Sequence, residues 1–123
     1  MTSDALRPIF ANRPEEAADA ALCGVVAANG DRLHTKVAFS EILNVDDPDL
    51  QFVADKRFML MASFDFVVTR HNIPIFAVEI DGAAHARDPK VRLRDCKKDA
   101  ACERAGLPLL RVSSNLALRH GSR

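Results

Sequence analysis

Three carboxylates, Asp65, Glu79 and Asp81, fall in two short segments whose pattern draws them together. Phe64-Asp65-Phe66-Val67-Val68 and Ile75-Phe76-Ala77-Val78-Glu79-Ile80 both read as strands, and Arg70-His71-Asn72-Ile73-Pro74 between them is short enough for a hairpin. Directly opposed residues of an antiparallel pair share a face. Burying Phe64, Phe66 and Val68 with Phe76, Val78 and Ile80 around a three-residue loop at His71 to Ile73 sets Asp65 across from Glu79. Asp81 shares that face, and Gly82 lets the chain turn away. Like charges this close raise one another's pKa unless a cation neutralises them. Oxygen-only ligands on rigid strands suit a hard divalent ion, Mg²⁺ or Mn²⁺. Glu79 interrupts an apolar run, and an acid embedded there needs a partner or a metal. Asp65, taken alone, reads rather as marking the solvent face of an amphipathic hairpin.

Cations follow in the next element. Asp88-Pro89 is an N-cap with proline in the first helical turn, and the spacing predicts a charged helix to Ala105, stopped by Gly106 and Pro108. Lys90, Arg94 and Lys97 fall along one stripe of that helix, with Lys98 near its margin. This stripe, with Arg87, is the expected phosphate contact. The helix lies a short loop beyond Gly82, so its second and third turns can pass the strand ends. Lys98 lies about 13.5 Å along the helix axis from Pro89. Strands rise about twice as fast, so a helix packed back along the sheet could carry it past Asp65 and Glu79, which keeps Lys97, Lys90 and His85 as alternatives.

The elements that must position these groups can be read in order. Pro14, Glu15 and Glu16 open an Ala-rich helix that ends at Asn29-Gly30. Leu33, Thr35, Val37 and Phe39 alternate as in a strand. Ser40 caps a short turn and Asp47-Pro48 opens a short helix, whereas residues 50–62 fit helix and strand equally. Leu109 to Val112 is a last short strand. The result is an α/β chain of one domain spanning residues 1–123, with a loose lead-in (1–12) and a tail (113–123) that has room for a further helical turn.

Composition narrows the class. With 48% hydrophobic and 28% charged residues, disordered and fibrous classes are excluded. Seven Phe but no Trp or Tyr removes the two side chains most used to stack on bases. The formal net charge is zero, which argues against a general polyanion binder. The halves differ, however: residues 1–70 hold seven Lys/Arg against eleven Asp/Glu, and residues 71–123 hold ten against six. No apolar run is long enough for a membrane span, and residues 1–13 lack the order of a secretory signal. Cys23, Cys96 and Cys102 form no C-x-x-C pair, so a reducing cytoplasm is expected and all three read as packing residues on helices.

Phe64 to Val68, the run Ala77-Val78-Glu79-Ile80-Asp81-Gly82 with His85 downstream, the segment Arg94-Asp95-Cys96-Lys97-Lys98-Asp99 and the strand Gly106 to Val112 together resemble the PD-(D/E)xK, restriction-endonuclease-like superfamily. Within it, the likeness is to a small bacterial group known as domain of unknown function 2726, related to very-short-patch-repair-like nucleases. It covers about Pro14 to Val112. The resemblance implies a mixed central sheet flanked by helices with an α-β-β-β-α-β core, and metal-dependent hydrolysis of phosphodiester bonds, with DNA as the partner. Asp65 and Glu79 match the metal-holding positions. Asp81 stands where the pattern carries lysine, so the resemblance implies a cation from the next helix, Lys98 first and Lys97 second. Glu15 or Glu16 would be a further contact from the first helix. His85 would contact phosphate or carry a proton, and Arg111 would pair with an acid beneath the sheet. Two other readings stand beside the nuclease: a nucleic-acid-binding module that has lost chemistry with its lysine, and a regulatory or partner-docking domain that touches no nucleic acid.

Overall fold

The computed structural model describes residues 13–81 and 88–113. The lead-in 1–12, Gly82, His85, Arg87 and the tail after Ser113 lie outside the described residues. Helix α1 (Arg13–Ala28) carries Glu15 and Glu16 in its first turn. The chain leaves it through Gly30, whose φ of 74° suits glycine. Strand β1 (Arg32–Ala38) leads into three short helices, α2 (Phe39–Ile42), α3 (Pro48–Val53) and α4 (Lys56–Met61). Strands β2 (Ser63–Arg70) and β3 (Ile73–Asp81), helix α5 (Pro89–Ala105) and strand β4 (Leu109–Ser113) follow. The segment 50–62, which fits helix and strand equally by sequence, is therefore the end of α3 and all of α4. Asp47 and Asp55 cap the two helices through side-chain bonds to Asp49 N and Phe58 N.

The sheet runs β1-β2-β3-β4. The first two pairings are antiparallel and β3–β4 is parallel. A parallel pair needs a crossover, and α5 supplies it. One face packs on α1 through Ala18, Leu22, Phe66, Val78, Phe76 and Ile80. The other buries Val67 and Ala77 against Ala101 and Cys102 of α5 and residues of the short helices. The protein is thus a mixed α/β domain, a four-stranded mixed sheet flanked by helices. With both faces covered, Asp65 does not mark a solvent face, which corrects that reading of the hairpin.

Two features of the hairpin differ from expectation. The connection is a two-residue turn, with Arg70 paired to Ile73 and both His71 (φ 52°) and Asn72 (φ 67°) in the left-handed region. That pairing alone would put Asp65 one residue out of line with Glu79. A bulge between Val68 and Thr69 shifts the register back, so that Phe66 faces Val78 and Val68 faces Phe76. Phe64 also leaves the face it was expected to share with Phe66. It joins the α5-side cluster and stacks on Phe39 with ring centroids 4.3 Å apart, because regular β2–β3 pairing ends at Phe66. Of the cysteines, Cys102 is buried as expected, whereas Cys23 and Cys96 are exposed, on outward faces of α1 and α5.

Two outcomes follow. Left-handed backbone costs a non-glycine residue of order 1 kcal/mol, so replacing His71-Asn72 with Asn-Gly should raise the melting temperature by about 4 °C. Reversible thermal unfolding measures this, and a fall would contradict the turn. Burial pushes the Cys102 thiol up to about 11, so a disulfide exchange reagent at pH 8 should titrate two thiols in the native protein and the third only in denaturant.

Candidate functional site

The site begins where the β2–β3 ladder stops. Beyond the Phe66–Val78 pair the two strands are joined by side chains. The Asp65 backbone N–H donates to Glu79 Oε2 at 3.1 Å, and the Ile80 N–H donates to Asp65 Oδ2 at 2.8 Å. Each carboxylate thus accepts from a main-chain donor of the opposite strand, holding both side chains in the fork. On the other side of β2, the β1 register sets Lys36 opposite Asp65. Lys36 has a φ of 52°, and its ammonium pairs with Glu15 of α1 at 3.1 Å. Glu15 is therefore engaged with β1, and Glu16 is exposed.

Glu79 is only 5% exposed, so its charge needs compensation. Lys98 provides it, donating to Glu79 Oε1 and, at 2.8 Å, to the carbonyl of Ser63. Its ammonium lies 5.8 Å from the Phe39 ring centroid and 5.7 Å from that of Phe64, within cation–π range of both. Burial pushes the Lys98 pKa below the ordinary lysine range; the Asp65 carboxylate opposes this and the Arg111 guanidinium adds to it. An ammonium has three donors. Two are used, and the third has no acceptor among the described residues; likewise Asp65 Oδ1 has no donor among them.

Asp81 takes a different partner. Arg111 of β4 donates to Asp81 Oδ1 at 3.2 Å and to Asp99 Oδ1 at 2.9 and 3.1 Å. It also donates to the Asp95 carbonyl at 3.3 Å and pairs with the Asp95 carboxylate at 3.4 Å. Arg111 thus pairs with acids beneath the sheet, tying the end of β3 to the middle of α5. Three carboxylates were expected to gather at one strand end. Two interlock there while Asp81 turns to arginine, and among the described residues no group of three or more His, Cys, Asp or Glu side chains is placed to hold a metal.

The basic stripe divides. Lys97, next to Lys98 in sequence, points to the other wall, where it donates to Asp55 at 2.8 Å over the Phe58 ring. It is not at the carboxylates, because adjacent helical residues face about 100° apart. Lys90 and Arg94 are exposed. His34 bonds the Thr69 hydroxyl at 2.8 Å. Between α4 and the N-terminal half of α5 opens a cleft of about 590 Å³, lined by Arg57, Phe58, Met61, Val91, Arg94 and Lys98 among others. Sequence reasoning missed Arg57, Phe58 and Ser63 because they fall in or beside the ambiguous segment. The signal available was Asp55, a capping residue three positions before Phe58.

One comparison places the chain among known proteins. The family described as "Protein of unknown function (DUF2726)" matches residues 7–119. No curated protein and no solved structure matches the chain. The match takes in every element of the sheet, the interlocked carboxylates and the helix that carries Lys98, and the chain belongs to the DUF2726 family.

Proposed function

We propose that this domain is a metal-dependent nuclease of the restriction-endonuclease-like kind, hydrolysing phosphodiester bonds in DNA. The observation that carries the reading is the fork itself: two fixed carboxylates beside the half-buried Lys98 ammonium, with no partner among the described residues for Asp65 Oδ1 or for the third Lys98 donor. The donor set fits a hard ion, because it consists of oxygens alone on rigid strands. Asp65 and Glu79 would hold Mg²⁺ or Mn²⁺, and the ion would supply Lewis-acid polarisation of the phosphoryl oxygen and a more acidic attacking water. The chain's own residues do the rest. The Asp65 and Ile80 amides orient the carboxylates. Lys98 stands where the lysine missing at position 81 is needed, and its third donor points charge at a phosphate oxygen or orients a water. Arg111 keeps α5 in place for that.

A second reading, the binding module without chemistry, is favoured by one observation. Both Glu79 oxygens already have protein partners, which is also how a purely structural lock is built.

Incubating the protein with DNA and RNA substrates in Mg²⁺, Mn²⁺ or EDTA decides between them. Cleavage should need the metal, and Mg²⁺ or Mn²⁺ should raise the melting temperature of the wild type but not of Asp65→Asn. A wild type that cuts nothing with either metal leaves the binding module. The Lys98–Glu79 pair gives a further test. Lys98→Met strands a buried carboxylate and should cost about 3–5 kcal/mol, with cleavage lower by two or more orders of magnitude. Adding Glu79→Gln should restore most of the stability, which checks the pair itself. Cleavage is read on Lys98→Met alone at a temperature where it remains folded; if it then cuts at the wild-type rate, Lys98 acts only on folding.

A further inference from the structure

Lys98 belongs to two places at once. Its ammonium bonds Glu79, and its side chain lines the cleft between α4 and α5. The charges of that cleft are unequal in a way that net composition hides. Its two acids are taken: Asp55 holds Lys97 and caps α4 through Phe58 N, and Asp95 faces Arg111. Its two arginines, Arg57 and Arg94, are exposed and make no hydrogen bond or ion pair among the described residues. The rim is therefore electropositive while the walls between, Phe58, Met61, Ala62 and Val91, are apolar. Met61 is 80% exposed there.

Taking the nuclease reading as its starting point, we infer that this cleft receives one unstacked nucleobase of a single strand, next to the scissile phosphate. Arg57 and Arg94 hold the flanking phosphates. The volume is that of a small-ligand pocket, and an apolar slot between guanidinium groups matches a base, which has a flat face and is joined to two anions. A base inside a duplex offers only its edges and must leave the stack to enter such a slot, a cost a single strand largely avoids. Tyrosine and tryptophan are absent from the chain, so the flat contacts come from Phe58, the Met61 thioether and the arginine planes, which stack on exposed bases. The preferred substrate is then single-stranded nucleic acid, or a frayed or flapped strand.

The test reads binding in EDTA, apart from cleavage, by fluorescence anisotropy of a labelled oligothymidylate, an abasic strand of equal length and a blunt duplex. The wild type should bind oligothymidylate about tenfold more tightly than the abasic strand, and more tightly than the duplex. Val91→Trp, which fills the slot, should remove the difference between oligothymidylate and the abasic strand. Arg57→Ala with Arg94→Ala, both at exposed positions, should weaken both strands and lower the salt slope by about 0.7 for each phosphate that is no longer neutralised. Equal affinity for the oligothymidylate and the abasic strand, tighter binding of the duplex, or an unchanged salt slope in the double variant would each overturn the inference. A protein that binds as described but cuts nothing keeps the cleft and loses the hydrolytic reading. A protein that cuts without base-dependent binding loses the cleft and keeps the hydrolysis.

Discussion

Everything in this molecule is arranged around one buried negative charge. Glu79 sits on an interior strand, covered by α5, where an uncompensated carboxylate would cost several kcal/mol. Its compensation comes from separate parts of the chain: a main-chain amide of β2 and an ammonium of α5, itself bonded to the carbonyl of Ser63 where β2 begins. The amide needs only the hairpin, but the ammonium is supplied only when sheet and helix have come together. The charge therefore selects the arrangement in which α5 lies with one turn over the fork, and the apolar contacts of Ala101 and Cys102 with Val67 and Ala77 fix the helix at that height.

Arg111 completes this arrangement from the opposite edge. A planar guanidinium with five donors can bridge more acceptors than any other side chain, and here it spans Asp81 on β3 and Asp95 and Asp99 on α5. Parallel pairing puts Arg111 beside Glu79, yet the two have different partners. The acids of the helix and strand end collect around arginine, which leaves lysine for the fork.

The sequence made the hairpin, the long helices and their caps legible because each rests on a local signal: alternation, an Asp-Pro start, a glycine stop. The opposition of Asp65 and Glu79 was reached through a turn one residue too long, an error that the bulge between Val68 and Thr69 cancels. Neither deviation is visible in the hydrophobic pattern, since His71-Asn72 lacks the glycine that announces a two-residue turn. The resemblance points to Lys98 before Lys97, but helical rise alone places neither at the fork and leaves open the choice between them. It depends on the rotation of α5 about its axis, which is set by packing at Ala101 and Cys102. The helix's weakly patterned sequence does not reveal that. The cleft was illegible for the same kind of reason: α3 and α4 are each six residues long, under two turns, and too short to build a periodic signature.

The two amides of the fork have a property of their own. Most amide protons in a sheet report on a neighbouring carbonyl, whose charge never changes. Those of Asp65 and Ile80 point at carboxylates, so their chemical shifts follow the charge carried by those oxygens. Protonation, an ion or a substrate at the fork would each draw electron density from the same acceptors. The backbone thus contains two resonances that register the charge at the fork directly, with no label.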